Sequence, residues 1–341
     1  MENCYHSSNK RDELRHRFSE LQAVIIDEVS MVNQNSLEHI NQHLNEIFGT
    51  AHDVFGGLMV ILVGDLLQLP PVRGSRVFQE NQLNPLLNID MLWHYFQMIE
   101  LTEVVRQKDP VFIKLLNNCR IGEVTDDDIA ILQSRHVDNF LPYPKDIIHL
   151  YAENASVAKH NDDMLKKLHT QSYTIPAVDK LPPGVLSIRS LIYNKTQMEL
   201  SGLATSFNIR LGAVCMITQN IDIEDRLING SIGTVAHIKC HDGKPFVIYM
   251  KFSDERAGQN VKRTDSFARL HDYVPIKKVE SEVSIRSFRG ANIRFRRKQF
   301  PLMLSYAATI HKVQGQQFPK ALLVLNYLNR SNSDLGSYML H

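Results

Sequence analysis

The sequence is poor in the features that staple or anchor a chain. Its 341 residues include four cysteines, Cys4, Cys119, Cys215 and Cys240, and no two form a C-x-x-C pair. That suggests neither a disulfide framework nor a zinc ribbon, and fits a reducing, intracellular setting best. The longest unbroken apolar run, Leu58 to Val63, is far below the roughly 20 residues of a membrane-spanning helix. The first ten residues, MENCYHSSNK, lack the apolar stretch of a signal peptide. Cytosol, nucleus and mitochondrion all remain open. Neither sign of charge prevails: 38 basic residues face 37 acidic ones, for a net charge of +1. A uniformly basic nucleic-acid-coating protein is thereby excluded, whereas a local basic groove is not. Repeats and low-complexity tracts are absent. What remains is ordinary for a globular chain, 43% apolar and 22% charged, with length for about two domains.

Two segments share one design. Leu21 to Met31 reads LQAVIIDEVSM and Leu58 to Val72 reads LMVILVGDLLQLPPV. Continuous aliphatic runs of this kind predict strands buried on both faces of a parallel α/β sheet, with the acidic residues at the ligand-binding edge. Between them Leu37, Ile40, Leu44, Ile47 and Phe48 fall at helical spacing, which predicts a crossover helix over residues 36–48 capped by Ser36. Further along, Gln97 to Val104 reads as a strand and Pro110 to Arg120 as a helix. A helix capped by Thr125 starts with Asp126, Asp127 and Asp128, acids that suit its positive end. Leu141-Pro-Tyr-Pro-Lys145 reads as a domain boundary. A second α/β region opens at Ile147, and Gly212 to Ile238 reads as strand, turn, strand. Residues 239–300 show short alternating strands and an Asp242-Gly243 turn, and Ala321 to Leu325 is a last strand.

The chemistry concentrates at the two strand ends. Asp27-Glu28 suits a hydrolytic nucleotide site, where one carboxylate holds Mg²⁺ and its neighbour activates water. Gln68, in Gly64-Asp-Leu-Leu-Gln-Leu-Pro-Pro71, could hydrogen-bond a γ-phosphate or the lytic water. Arg286 to Phe300, RSFRGANIRFRRKQF, holds six basic residues and no acid. Its arginines could track phosphates while Phe288, Phe295 and Phe300 stack bases. The same alternation also describes a half-buried strand with its Phe side inward. His39 and His43 lie one helical turn apart, but position 40 is Ile, so the H-E-x-x-H metal motif is not formed.

Taken in order, these blocks resemble the PIF/RecD-like group of superfamily 1 DNA helicases. Asp27-Glu-Val-Ser-Met31, Phe55-Gly-Gly57 and Gly64-Asp-Leu-Leu-Gln-Leu-Pro-Pro-Val72 resemble its motifs II and III. Leu101-Thr-Glu-Val-Val-Arg-Gln107, with Asp109, Phe112, Leu116, Arg120 and Gly122, resembles its motif IV region. Gly212, Val214, Met216, Asn220, Leu227, Asn229, Gly230, Gly233 and Val235 resemble a second-domain block, and Ala308-Thr-Ile-His-Lys-Val-Gln-Gly315 resembles motif V. The spacing of Phe55-Gly-Gly and the continuation from Val72 to Phe78 are also similar to the helicase part of Helitron-type transposons.

The resemblance implies an α/β fold of two RecA-like P-loop NTPase domains, the first incomplete, with a small SH3-like β insert in the second. The expected divisions are 1–140, 146–238, 239–300 for the insert, and 301–341. It implies ATP as substrate, Mg²⁺ as cofactor, and single-stranded and forked DNA as partners. It also implies unwinding with 5′-to-3′ movement, in replication, repair or recombination. By the same resemblance Asp27 binds Mg²⁺, Glu28 activates water, Gln68 senses the γ-phosphate and Arg106 stabilises charge. Thr309, His311, Lys312 and Gln314 would sit where DNA and nucleotide signals meet, His311 in either a contact or a structural role. Arg294, Arg296 and Arg297 would meet DNA.

One part of the pattern is missing. The sequence contains no G-x-x-x-x-G-K-[ST] phosphate loop, and its one Gly-Lys pair, Gly243-Lys244, precedes Pro245. Gly336 to His341 resembles the start of motif VI without its arginine. The expectation is a chain shortened before motif II and within motif VI that does not turn over ATP by itself. The competing expectation is a transposon-derived single-stranded DNA-binding protein without catalysis.

Overall fold

The computed structural model describes residues 8–49, 53–72, 74–79, 91–136, 147–182, 189–193, 195–197, 199–286, 292–316, 318 and 320–325. Leu141 to Lys145, Phe288 and Gly336 to His341 lie outside them. The chain divides into two units, with the described residues up to 136 in the first and those from 147 in the second.

In the first unit β1 (Ala23–Ile26) and β2 (Met59–Leu62) pair in parallel, Ala23 opposite Met59 and Ile26 opposite Leu62. The helix between them, α2 (Gln34–Phe48), begins two residues before the expected start. Its cap is Asn33, whose side chain accepts from the Ser36 amide at 2.8 Å, so Ser36 is inside the helix. Ile26, Val60 and Leu62 pack against Leu37, Ile40 and Leu44 of α2 and against Phe55. The opposite sheet face is open: Ile25 is 68% exposed and Met59 64%. Burial on both faces is therefore not what the described residues show. An aliphatic run of this length satisfies one-sided and two-sided burial alike.

Helix α1 (Ser8–Arg17) lies against α2. Its Arg15 donates to the carbonyls of Glu46 and Ile47 in the last turn of α2, where a cation complements the helix dipole. The Phe55-Gly-Gly turn docks on the same helix. Asn41 Oδ1 accepts the Phe55 amide at 2.6 Å, and Asn45 Oδ1 accepts the Gly56 amide. A Cβ on Gly56 would stand 2.8 Å from the Leu44 carbonyl oxygen, which is why glycine is needed there.

Residues 97–104 are not a strand. In the described chain β1 and β2 pair only with each other, and Met98, Ile99 and Leu101 are exposed. Helix α3 (Pro110–Ile121) is capped by Asp109 and packs Leu115 and Cys119 inward. Helix α4 (Asp126–Ser134) starts with the expected Thr125 cap, which forms a capping box with Asp128. Asp128 also accepts from Asn118 at 2.8 Å, joining the two helices. That bond and those from Thr125 hold its carboxyl below the usual range.

The second unit is built on a parallel sheet of β14 (Ala307–Thr309), β3 (Ile148–Tyr151) and β15 (Ala321–Leu323), in that order, with α5 (Asn154–Lys166) following β3. Between α5 and β14 the chain is antiparallel. β4 (Ser172–Pro176) pairs with β6 (Ser206–Arg210). β10 (Val274–Lys277), β9 (Lys244–Phe252), β8 (Ile232–His241), β7 (Val214–Ile217) and β13 (Leu302–Leu304) form one sheet in that order. β11 (Val279–Arg286), β12 (Asn292–Gln299) and β5 (Val178–Lys180) form another. Short helices α6 (Arg189–Tyr193), α7 (Gln259–Arg263) and α8 (Ser266–His271) sit in the connections, and α9 (Ile310–Val313) follows β14.

The β region is thus larger than residues 239–300. The expected division after Ile238 falls inside β8, and β7 and β13 belong to the same sheet. Burial explains this: Ile209, Cys215, Ile217, Ile248, Met250, Phe300 and Leu302 share one core, so these strands cannot be separated without exposing it. Asp242 and Gly243 form the β8–β9 hairpin turn, both with positive φ, as a two-residue loop of that type requires.

Candidate functional site

Parallel pairing brings the C-terminal ends of β1 and β2 to one edge. There the two acidic motifs are joined by the backbone. The Val63 amide donates to the Ile26 carbonyl at 2.8 Å, and the Val29 amide donates to the Val63 carbonyl at 3.0 Å. Between those bonds Glu28 adopts a left-handed conformation, φ 53° and ψ 48°. For a residue with a side chain this costs about 1–2 kcal/mol. Its amide donates to Asp27 Oδ1 at 2.8 Å. Asp27 is exposed and Glu28 half-buried. The pair thus sits on a turn in the backbone rather than on a pleated strand.

Gly64 makes the close approach possible. Its φ is +147°, and a Cβ there would lie 2.8 Å from the Val29 nitrogen. Gly64→Ala is expected to destabilise the first unit by about 1–3 kcal/mol through backbone strain and overpacking. Chemical denaturation checks this, and an unchanged midpoint would count against the clamp.

The loop after Gly64 carries Gln68, which is exposed. The Gln68 amide donates to the Asp65 carbonyl at 3.0 Å, and the Leu67 amide donates to Asp65 Oδ1 at 3.0 Å. Two arginines reach in: Arg120 Nη1 lies 2.9 Å from Asp65 Oδ2, and Arg76 Nη1 donates to the Leu66 carbonyl at 3.0 Å. Arg106 lies exposed in the irregular segment before α3. The backbone bonds thus bring Asp27, Glu28 and the Gln68 loop to one edge, while Arg106 stands on a separate segment outside that clamp.

In the second unit Thr309 ends β14, and His311 and Lys312 occupy the single turn of α9, with Gln314 just after it. His311 is exposed. Lys312 is half-buried with its ammonium against Met303 Sδ, and burial pushes its pKa down. Gly230 backs onto this segment, with Gln316 Nε2 3.4 Å from where a Cβ would stand.

Asn161 was not singled out by the sequence pattern. It is 6% exposed, and its Oδ1 accepts the amides of Tyr306 and Ala307 at 3.0 and 2.9 Å. It thereby sets the start of β14 directly before Thr309. The available signal was a polar residue between Val157 and Leu165 on the buried face of α5. Below β14, His149 and His160 have ring centroids 4.2 Å apart, and Tyr151 bonds His160. Burial, with His149 and Lys167 nearby, holds His160 at a pKa of about 4, so it is neutral at neutral pH.

The basic strand β12 resolves into two faces. Arg294, Arg296 and Lys298 point to solvent, while Phe295, Arg297, Gln299 and the following Phe300 are buried. Arg297 is a correction to the sequence expectation. Its side chain is 0% exposed and its guanidinium is bidentate to Asp179, both bonds 2.7 Å. It is an internal ion pair and does not present its charge to DNA. Phe295 and Phe300 likewise belong to cores and are not available for stacking. On the outer face Glu280 and Glu282 of β11 partly offset the cations. Arg296 lies 3.5 Å from Glu280, Arg294 3.7 Å from Glu282, and Lys180 2.9 Å from Glu280, holding that carboxyl below its usual range.

The model of the PIF1-like helicase family matches residues 1–129. The ATP-dependent DNA helicase PIF1 of Xenopus laevis is 29% identical over 314 residues, 90% of this chain and 43% of that protein. The ATP-dependent DNA helicase Pif1 of Bdellovibrio bacteriovorus is 28% identical over 311 residues, 91% of this chain and 62% of that protein. The chain thus spans less than two thirds of the length of these curated relatives. Among solved structures, Bacteroides Pif1 helicase in complex with ADP-AlF3 and ssDNA has a TM-score of 0.63 at 25% identity, covering 99% of this chain and 71% of that one. Candida albicans Pif1 helicase has a TM-score of 0.71 at 23% identity, covering 97% and 73%, a likeness of fold. With its acidic strand ends clamped edge to edge on a mixed α/β fold, this chain matches the PIF1-like helicase model over residues 1–129 and is similar to Pif1 helicases along nearly its whole length.

Proposed function

We propose that this chain carries the water-activating and phosphate-sensing edge and the DNA-contacting region of an ATP-dependent DNA helicase. The observation that carries the reading is the backbone clamp that holds Asp27, Glu28 and the Gln68 loop at one strand edge. Asp27 is an exposed carboxylate at that edge, an oxygen donor that suits a hard divalent cation, so the residues present fit Mg²⁺. When bound, Mg²⁺ would neutralise phosphate charge. Glu28 would accept a proton from the attacking water. Gln68 would hydrogen-bond the terminal phosphate, and Arg106 would stabilise developing charge once the nucleotide draws its segment in.

Thr309, His311, Lys312 and Gln314, with Arg294 and Arg296, would meet the backbone of single-stranded DNA, and forked DNA with 5′-to-3′ movement is the proposed substrate. The outer face of β12 supports this reading through Arg294, Arg296 and Lys298. Binding should weaken linearly in log affinity against log salt, and Arg294→Ala/Arg296→Ala should flatten that slope by about 0.7 for each phosphate left without its cation. An unchanged slope would remove these two residues from the interface.

Because the sequence has no G-x-x-x-x-G-K-[ST] loop, phosphate release from ATP and Mg²⁺ by this 341-residue chain is expected to match the Glu28→Gln variant, with or without single-stranded DNA. DNA-stimulated release that Glu28→Gln abolishes would overturn that expectation and reveal a working motor. DNA binding without any nucleotide effect would instead favour a non-catalytic single-stranded DNA-binding role.

A further inference from the structure

We propose that Arg120 is a positioning residue for the loop that carries Gln68. The inference rests on the reading of Gln68 as a phosphate-sensing group and adds the element that holds it.

Asp65 is the hub of the loop. One carboxylate oxygen, Oδ1, accepts the Leu67 amide at 3.0 Å, and its backbone carbonyl accepts the Gln68 amide at 3.0 Å. The other oxygen, Oδ2, is taken by Arg120 at 2.9 Å. A charge-assisted bond at one oxygen restrains the carboxylate and so favours the direction in which the other oxygen accepts. Arg120 thus acts on Gln68 through Asp65. Arg76 holds the Leu66 carbonyl, a backbone group, and so does not set the plane of the Asp65 carboxylate. Downstream, the buried Leu69 anchors the loop in the chain.

Arg120 stands on a firm support. It lies in the last turn of α3, which Gly122 closes in a left-handed cap. Asn118, two residues earlier, binds Asp128, and Asp128 also accepts from the Thr125 amide and hydroxyl at 3.0 and 2.8 Å. The loop is therefore tied to the α3–α4 pair. The other end of α3 begins at Pro110, four residues after Arg106. The helix thus runs from just after the Arg106 segment to the contact with the Gln68 loop.

The test uses the full 341-residue chain and reads amide hydrogen exchange at Leu67 and Gln68, with the thermal midpoint as control. Arg120→Ala and Asp65→Ala should speed exchange at both amides by roughly fivefold, the effect of losing one net hydrogen bond. The midpoint should move little, because both partners are partly exposed (43% and 26%). Arg120→Lys should restore part of the protection, and the reversed pair Asp65→Arg/Arg120→Asp should restore part of it at Gln68. Exchange at Leu67 and Gln68 unchanged in Arg120→Ala would overturn the proposal. A parallel titration with a fluorescent ATP analogue separates the two readings. If Arg120→Ala loosens the loop while Gln68→Ala leaves nucleotide affinity unaltered, the positioning role stands and the phosphate-sensing role of Gln68 falls.

Discussion

Asp179→Ala is expected to destabilise the protein by about 3–5 kcal/mol, the cost of leaving a buried charge without its partner. Arg297 has no exposed side-chain surface. Its guanidinium uses Nε and Nη2 on Asp179 and donates through Nη1 to the Leu203 carbonyl and Thr205 Oγ1, both at 3.2 Å. The pair crosses from β12 to β5 and ties both to the segment before β6. Removing the carboxylate leaves the guanidinium desolvated with only neutral acceptors. The surface pairs on the opposite face of the same strand behave differently. Arg296→Ala removes an exposed contact to Glu280 and should change stability by less than about 1 kcal/mol. Replacing both partners with apolar residues of similar length, Asp179→Leu/Arg297→Met, should recover most of the loss, because the buried guanidinium is then gone. Denaturant titration of the three variants decides the matter. An Asp179→Ala protein within about 1 kcal/mol of the parent would mean that Arg297 finds water, and that its burial is not a structural requirement.

Asn161→Leu is expected to cost about 2–4 kcal/mol, because two buried amides lose their acceptor at once, each worth about 1–3 kcal/mol when left unsatisfied. Those amides belong to Tyr306 and Ala307, at the point where β13 gives way to β14. Asn161 Nδ2 also faces the carbonyls of Leu304 and Ala307 at 3.4 and 3.3 Å, so one side chain on α5 serves both polarities of that backbone. Tyr306 and Ala307 are 8% and 1% exposed, so the freed amides lie out of ready reach of water. The change should appear as faster hydrogen exchange at Tyr306 and Ala307, beyond the global loss. Because β14 leads directly into Thr309, His311 and Lys312, the same variant should weaken single-stranded DNA binding, acting through the backbone it anchors. Full affinity in a folded Asn161→Leu protein would separate the strand anchor from the turn proposed to contact DNA.

Both residues show where a sequence stops being legible. The acidic strand ends could be read because each lies within one segment: an aliphatic run, then Asp27-Glu28, or then Gly64 to Gln68. The Asp242-Gly243 turn, the Thr125 cap and the crossover helix were legible for the same reason. Even there the local rule slipped by a few residues, since Asn33 and Ser36 are both good caps and only the backbone direction decides between them. Gln97 to Val104 has the composition of a strand, but in the described chain no neighbour offers it an edge. The alternation in β12 was visible, yet it could not say which arginine faces inward.

What the sequence by itself determined is the parallel pairing of β1 and β2 and the place of the acidic residues at their ends, set by aliphatic patterning and short-range backbone preference. What only the tertiary structure decided is which polar groups meet across it. Arg120 and Asp65 are 55 residues apart in the chain, Arg297 and Asp179 118, and Asn161 and Tyr306 145. A charge or amide finds its partner through the packing of whole elements, and that packing answers to the shape of a shared core rather than to any local pattern.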